Sequence, residues 1–292
     1  MSKFKRVKVE RVMSPDQATK MVGDTVQDLP GNVEVGTIFE DADTGEPLVA
    51  YLPLEDPAPL RRAVTKIDTG AGLGRQKNYR SASRTFGYTP RRPIVLREGC
   101  TTTTLARDHP DIEETLERYA DQFSATMMEI DPELVEDGQR ELENVLPEWR
   151  MGEAKLWTSG VVNDTAQLPY HRDGFNFPTW SAMPVVRRGV RGGGLHLPEY
   201  DIVLPCADST VTYFAGWKYV HGVTPLHRVK KDEGYRISVV YYALKGMKNC
   251  REYAEEQAFA RQARTKRESD MAKRLAQGDR SIPGAIKKAK TD

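Results

Sequence analysis

Tyr170-His171-Arg172-Asp173-Gly174 is the stretch on which the reading of this chain turns. In an extended backbone, residues two apart point to the same side, so His171 and Asp173 present an imidazole nitrogen and a carboxylate oxygen to one point in space. Those are two metal ligands. A third candidate, His221, lies fifty residues on in Trp217-Lys218-Tyr219-Val220-His221-Gly222-Val223. His227 competes with it, since both follow a strand-like run. Two histidines and one carboxylate on one face of an iron ion leave the opposite positions open for further ligands.

Working outward, Tyr235-Arg236-Ile237-Ser238-Val239-Val240-Tyr241-Tyr242 alternates as a strand does and puts Arg236 and Ser238 on one face. A permanently charged, planar guanidinium beside a hydroxyl suits the far end of a dicarboxylate. From Lys155 onward, short strand-like runs follow one another between Gly, Pro and Asp turns: Lys155 to Val162, Leu195 to Leu197, Ile202 to Leu204, Val211 to Phe214, Tyr219 to Val220 and Arg236 to Ala243. That spacing predicts a sandwich or jelly roll, not a βαβ fold.

The order His171-Arg172-Asp173, then Gly192-Gly193-Gly194-Leu195-His196-Leu197-Pro198-Glu199-Tyr200, then His221-Gly222-Val223-Thr224-Pro225, then Arg236-Ile237-Ser238 resembles the TET/JBP family of iron(II) and 2-oxoglutarate dioxygenases, including its phage members. The likeness covers roughly residues 79 to 244. It implies an α+β chain with a double-stranded β-helix core braced by helices and the metal in the mouth of the barrel. It favours His221 over His227, because His221 lies fifteen residues before Arg236. It implies Fe(II) on His171, Asp173 and His221, with 2-oxoglutarate anchored by Arg236, Ser238 and an upstream arginine, for which Arg84 is the choice and Arg80 the next. The reaction implied consumes O2, releases succinate and carbon dioxide, and hydroxylates the methyl group of 5-methylcytosine in DNA, reached by flipping the base out of the stack.

Two further positions match family base contacts: Asn176 for the pyrimidine edge and Tyr242 for stacking on the ring. Leu244 departs from the animal enzymes, which carry a histidine there, so thymine stands as the alternative base and a small molecule as the alternative substrate. The cysteine-rich zinc region of those enzymes is missing.

The remainder of the 292 residues reads as support. Expected units are an N-terminal strand, helix and hairpin over 1–60, a basic loop and bracing helices over 61–150, the catalytic core over 151–246 and a charged helical tail over 247–292, together one structural domain. Ser14-Pro15-Asp16-Gln17 has capping-box spacing, and Val33 to Phe39 with Leu48 to Tyr51 reads as a hairpin. Ile112, Leu116, Tyr119, Ala120, Phe123 and Met127 recur at helical spacing, and a second helix is expected from Pro132 to Leu146.

Net charge is only +1, so attraction to nucleic acid must come from local patches. Residues 75–107 carry a net +7 and residues 111–148 a net −11. The first, with aromatics between its cations, reads as a candidate nucleic-acid surface or as a solvated basic loop; the acidic helices place any duplex on the opposite side. Phe175 to Gly194 reads as an insertion whose flexible glycines beside Arg187, Arg188 and Arg191 close over a substrate or grip phosphates, or which forms a disordered surface loop. Cys100, Cys206 and Cys250 are far apart and form no CxxC pair, which predicts reduced, buried thiols. No apolar run reaches membrane-spanning length and the start lacks an apolar leader core, so a cytoplasmic protein with no obligate protein partner is expected.

Overall fold

The computed structural model describes residues 4–70, 82–92, 97–230 and 233–278. The chain opens with β1 (Lys5–Val9), α1 (Pro15–Lys20), β2 (Thr37–Asp41), β3 (Pro47–Pro53) and α2 (Pro57–Val64). The expected capping box is present: Gln17 N donates to Ser14 Oγ and Ser14 N to Gln17 Oε1. The expected hairpin is the antiparallel β2–β3 pair, and β1 joins it in parallel.

Then come β4 (Ala82–Thr89), β5 (Thr101–Thr102), α3 (Thr104–Asp108), α4 (Pro110–Ile130) and α5 (Pro132–Glu141). The core follows as β6 (Ser159–Asp164), β7 (Ser181–Arg188), β8 (Val190–Gly192), β9 (Leu195–Leu197), β10 (Ile202–Leu204), β11 (Thr210–Phe214), β12 (Gly222–Val223), β13 (Leu226–Arg228) and β14 (Tyr235–Tyr242), and the chain ends on α6 (Tyr253–Ala276). Among the described residues, no helix is long and apolar enough to cross a membrane.

Nine strands form one sheet in the order β1-β2-β3-β11-β7-β14-β6-β4-β5, and β10-β9-β12 forms a smaller one. A backbone bridge between His171 and His221 continues the smaller sheet past β12. The two sheets enclose an interior to which both contribute side chains, which is the expected double-stranded β-helix.

The period of two on β14 explains how one strand serves two compartments. Ile237, Val239 and Tyr241 belong to the hydrophobic core, whereas Arg236, Ser238, Val240 and Tyr242 line the interior. Tyr241 carries the outer face: its hydroxyl donates to Leu116 O of α4 at 2.9 Å, and Phe86, Phe123 and Trp157 stand 5.0, 5.3 and 5.6 Å from its ring. Burial of each such ring contributes about 1.5–3 kcal/mol. The apolar stripe expected on α4 is buried, so α4 braces the back of the large sheet.

Three expectations need correction. The segment read as an insertion contains β7, a central strand of the large sheet between β11 and β14. Pro184 disguised it, since proline demotes a central strand. The ladder accommodates it by breaking: β7 pairs with β14 at Val185 and again at Ala182, and not at Pro184 or Met183. The segment read as a basic loop is β4 from Ala82 onward, zipped to β6; Arg75, Lys77 and Arg80 lie outside the described residues.

The thiols are the third. Cys100 and Cys250 form a disulfide across 150 residues, and only Cys206 is free. Separation along the chain carried no information about their distance in the fold. The cystine helps tie α6, whose buried Glu256 accepts from Cys100 N at 2.8 Å and Arg251 N at 2.9 Å and pairs with Arg91 at 2.7 Å. The α6 stripe is otherwise thin: Glu256 is its one fully buried residue. Residues 279–292, including Ile282-Pro283-Gly284 and the lysines after it, lie outside the described residues.

Candidate metal and cosubstrate site

The bridge that extends the smaller sheet also assembles the candidate metal site. His171 N donates to His221 O at 2.8 Å and His221 N to His171 O at 3.0 Å, so the two rings leave adjacent strands side by side, 4.3 Å apart at their centroids. Asp173 follows at the turn, its N donating to Gly216 O at 3.0 Å. His171 Nε2 is 3.8 Å from Asp173 Oδ1 and His221 Nε2 is 4.0 Å from Asp173 Oδ2. One ligand atom from each of the three residues lies within 4.8 Å of the others.

Backbone carbonyls set the tautomer of both imidazoles. His171 Nδ1 lies 2.8 Å from Pro169 O and His221 Nδ1 lies 3.0 Å from Tyr219 O. A carbonyl only accepts, so each Nδ1 carries the proton and each Nε2 turns a lone pair to the common point. Burial, and next the neighbouring His171, push His221 down to about 4, so it stays neutral and able to ligate. Gly216 makes the fit possible: a Cβ there would stand 2.5 Å from Asp173 Oδ2.

These residues open onto a cavity of about 610 Å³. Its apolar lining comes from Val161, Met183, Leu195, Phe214, Val223 and Val240, and its deep end is polar. There Arg236 is 1% exposed, and its Nε and Nη2 have no hydrogen-bond partner among the described residues. Ser238 lies one turn of the pleat away, paired across the ladder with Asn163. Gly193, at φ +72°, lets the guanidinium lie flat, since a Cβ there would come within 2.8 Å of Arg236 Cδ. A buried cation without a counterion costs several kcal/mol, so the geometry is that of an anion site awaiting its anion. Two histidines and a carboxylate fit Fe(II), the orphaned guanidinium and Ser238 fit the distal carboxylate of 2-oxoglutarate, and a half-ligated ion has room for O2.

The structure thus brings together His171, Asp173, His221, Arg236, Ser238, Asn176 and Tyr242 around one cavity. It does not bring Arg84 there. Arg84 pairs with Val162 across β4 and β6 and so shares the outer face, where its Nη2 meets Asp108 at 3.3 Å. Nor is Arg187 free for a phosphate. It shares the face of Arg236 and donates to the carbonyls of Val190, Gly192, Pro205 and Cys206. Burial and then Arg236 lower its pKa.

Arg188 and Arg191 are exposed, but at the wrong end: Arg188 pairs with Tyr235, and the strand from there to Tyr242 is about 20 Å long at about 3.3 Å per residue. Arg80 lies outside the described residues. His227 is exposed and meets Asp28, away from the other ligands. His196 is buried with Nδ1 2.6 Å from the Tyr170 hydroxyl.

Sequence reasoning missed Asn163, Arg92 and Phe175, all in the cavity wall. Asn163 left a signal, a polar side chain two residues from Val161 and next to Val162 on the same strand; its buried Oδ1 has no partner among the described residues. Arg92 left none, because its place at the cavity depends on contacts between segments far apart in the chain.

No protein-family profile matches the chain, and no curated protein does. Solved structures do. NgTET1 in complex with 5mC DNA superposes with a TM-score of 0.53 at 16% identity, over 82% of this chain and 94% of that one. The two share one fold. Lower TM-scores, which carry no argument, relate the chain to a 2OG-Fe(II) oxygenase family oxidoreductase from Burkholderia pseudomallei (0.39, 15% identity, 66% of this chain and 82% of that one). The same holds for a prolyl-4-hydroxylase from Pseudomonas putida (0.40, 10% identity, 68% and 92%). At such identities the likeness establishes the double-stranded β-helix, and the chemistry must be argued from the site.

Proposed function

We propose that this protein is an Fe(II)- and 2-oxoglutarate-dependent dioxygenase that hydroxylates the 5-methyl group of 5-methylcytosine in DNA. The observation that carries the reading is the buried, unpaired Arg236 in the same cavity as the His171, Asp173 and His221 cluster. Each alone is common; together in one cavity they support a metal and a dicarboxylate bound side by side.

His171, Asp173 and His221 would hold the iron, and Arg236 with Ser238 the distal carboxylate of the cosubstrate. With both bound, the site activates dioxygen for C–H hydroxylation, with succinate and carbon dioxide as coproducts. The protein's own contribution is placement. Backbone carbonyls hold both histidines in the ligating tautomer, and the apolar wall of Val161, Met183, Leu195, Phe214 and Val240 excludes water.

Asn176, 8% exposed, would hydrogen-bond the pyrimidine edge and Tyr242 would stack on the ring. The mouth opens on the face of the large sheet opposite the acidic α4, leaving an approach for a polyanion. NgTET1, whose fold this chain shares, was solved with 5mC DNA, which supports the substrate class. The carboxamide of Asn176 offers both a donor and an acceptor, so thymine is the competing base.

The deciding experiment incubates the protein, Fe(II), 2-oxoglutarate and ascorbate with 5-methylcytosine DNA and with ordinary thymine-containing DNA, and measures nucleosides by mass spectrometry. 5-Hydroxymethylcytosine is expected. 5-Hydroxymethyluracil alone would move the target to thymine, and succinate without any oxidised base would move it to a small molecule. No succinate would overturn the reading.

A further inference from the structure

We infer that Phe175 is the side chain that fills the gap left in the DNA stack when the target base enters the cavity, and hence that the protein acts on duplex DNA; the inference rests on the DNA reading above. Phe175 is 87% exposed, the most exposed large apolar side chain among the described residues. A lone exposed apolar residue is ordinary. This one differs in its position and in its support.

Its position is the rim of the cavity, two residues after the Asp173 ligand and one before Asn176. The two neighbours diverge at the turn: Asn176 is nearly buried toward the cavity while Phe175 stands in solvent. Phe175 thus stands at the entrance by which a base would pass to reach Asn176, beside the position that base would vacate.

The support is a backbone pinned on both sides. Phe175 O accepts from Lys245 N at 2.9 Å, Asn176 N donates to Asp173 O at 3.0 Å and Phe177 N donates to Ala243 O at 2.7 Å. The ring thus stands out from a rigid turn, as a wedge must. Cations flank it: Lys245 Nζ donates to Gly174 O at 3.1 Å, and the exposed Arg92 lines the same mouth. Both are positive charges available to phosphates near the vacancy. Apolar wedges inserted between base steps are a general device of proteins that distort duplexes, and flipping is the distortion this cavity requires.

The test measures kcat/KM for wild type, Phe175→Ala and Phe175→Trp on one 5-methylcytosine oligonucleotide, single-stranded and as a duplex, with 2-aminopurine beside the target base to report unstacking. In Phe175→Ala the ratio of duplex to single-strand kcat/KM should fall by roughly 5- to 150-fold, the worth of one stacking contact. The 2-aminopurine signal on the duplex should weaken with it, and Phe175→Trp should restore both. An unchanged ratio overturns the inference, whether both rates hold or both fall together. Wild type that forms succinate but oxidises neither DNA overturns the DNA reading and the wedge with it; oxidation of single strands alone overturns the wedge and leaves the DNA reading standing.

Discussion

Replacing Arg236 with methionine should stabilise the protein and abolish its response to 2-oxoglutarate. Methionine keeps the apolar stem that lies close to Gly193 and removes the guanidinium. In the wild type that group is 1% exposed with Nε and Nη2 unpartnered, and it lies beside Arg187, a second cation already bonded to four carbonyls. Each unmade bond of a buried donor costs about 1–3 kcal/mol, so relief of two of them is worth about 2–6 kcal/mol, and relief of the cation pair adds to it. In a chain of this size that is a rise in Tm of at least about 4 °C. The cosubstrate should have the opposite effect: at a hundredfold excess over its Kd it stabilises the wild type by about 2.7 kcal/mol and the variant not at all. Thermal melts with Mn(II) in place of iron, with and without 2-oxoglutarate, measure both quantities without turnover. A variant less stable than wild type in the absence of cosubstrate, or one whose melt still shifts with it, would show that Arg236 is a packing residue and not an anion site.

Gly216→Ala should weaken metal binding by about 10- to 100-fold without unfolding the chain, because its Cβ displaces the Asp173 carboxylate; titration with Mn(II) followed by electron paramagnetic resonance reads the affinity, and an unchanged Kd would refute the placement of Asp173. Burial pushes the Glu113 carboxyl up to about 7 even though Gly87 N donates to it. A carboxyl raised in the folded state favours folding below its unfolded pKa, and that advantage is lost as pH rises through about 7. Glu113→Gln should therefore gain on wild type by at most about 3 kcal/mol at pH 8 and nothing near pH 4.5, with melts at the two values as the check. Cys250→Ser should lower stability under oxidising conditions by about 2–5 kcal/mol, and dithiothreitol should bring the wild type to the same melting temperature; equal melts without reductant would mean the cystine does not form.

The legible parts of this chain were those written at short range. Alternation along Tyr235 to Tyr242 and the two-residue step from His171 to Asp173 are backbone geometry, so they survive folding unchanged. The helix start at Ser14 and the apolar stripe of α4 are local in the same sense. What the sequence concealed depends on which strands become neighbours. Pro184 hid β7 because the rule against proline in a central strand takes no account of a local break in one ladder. Cys100 meets Cys250 only because β5 and the segment before α6 converge. Of the glycines beside Arg191, read as flexible, Gly193 is a packing site that lets Arg236 lie close to its backbone.

Arg84 shows how small the missing information was. It sits on β4 next to β6, in the sheet that forms the cavity, and its charge suits a cosubstrate carboxylate. The ladder pairs Ser83 with Asn163 and Arg84 with Val162, and paired residues share a face. Asn163 faces the cavity and Val162 the core, so Arg84 is turned to the outer side, where it meets Asp108. A shift of one residue would reverse every one of these assignments. The register therefore makes a separable prediction: Arg84→Ala should leave the Kd for 2-oxoglutarate within about twofold of wild type, as befits an exposed ion pair, while Arg236→Met abolishes binding in the same calorimetric titration. Equal losses in the two variants would mean that β4 pairs one residue out of step and that the cavity is anchored by two arginines, not one.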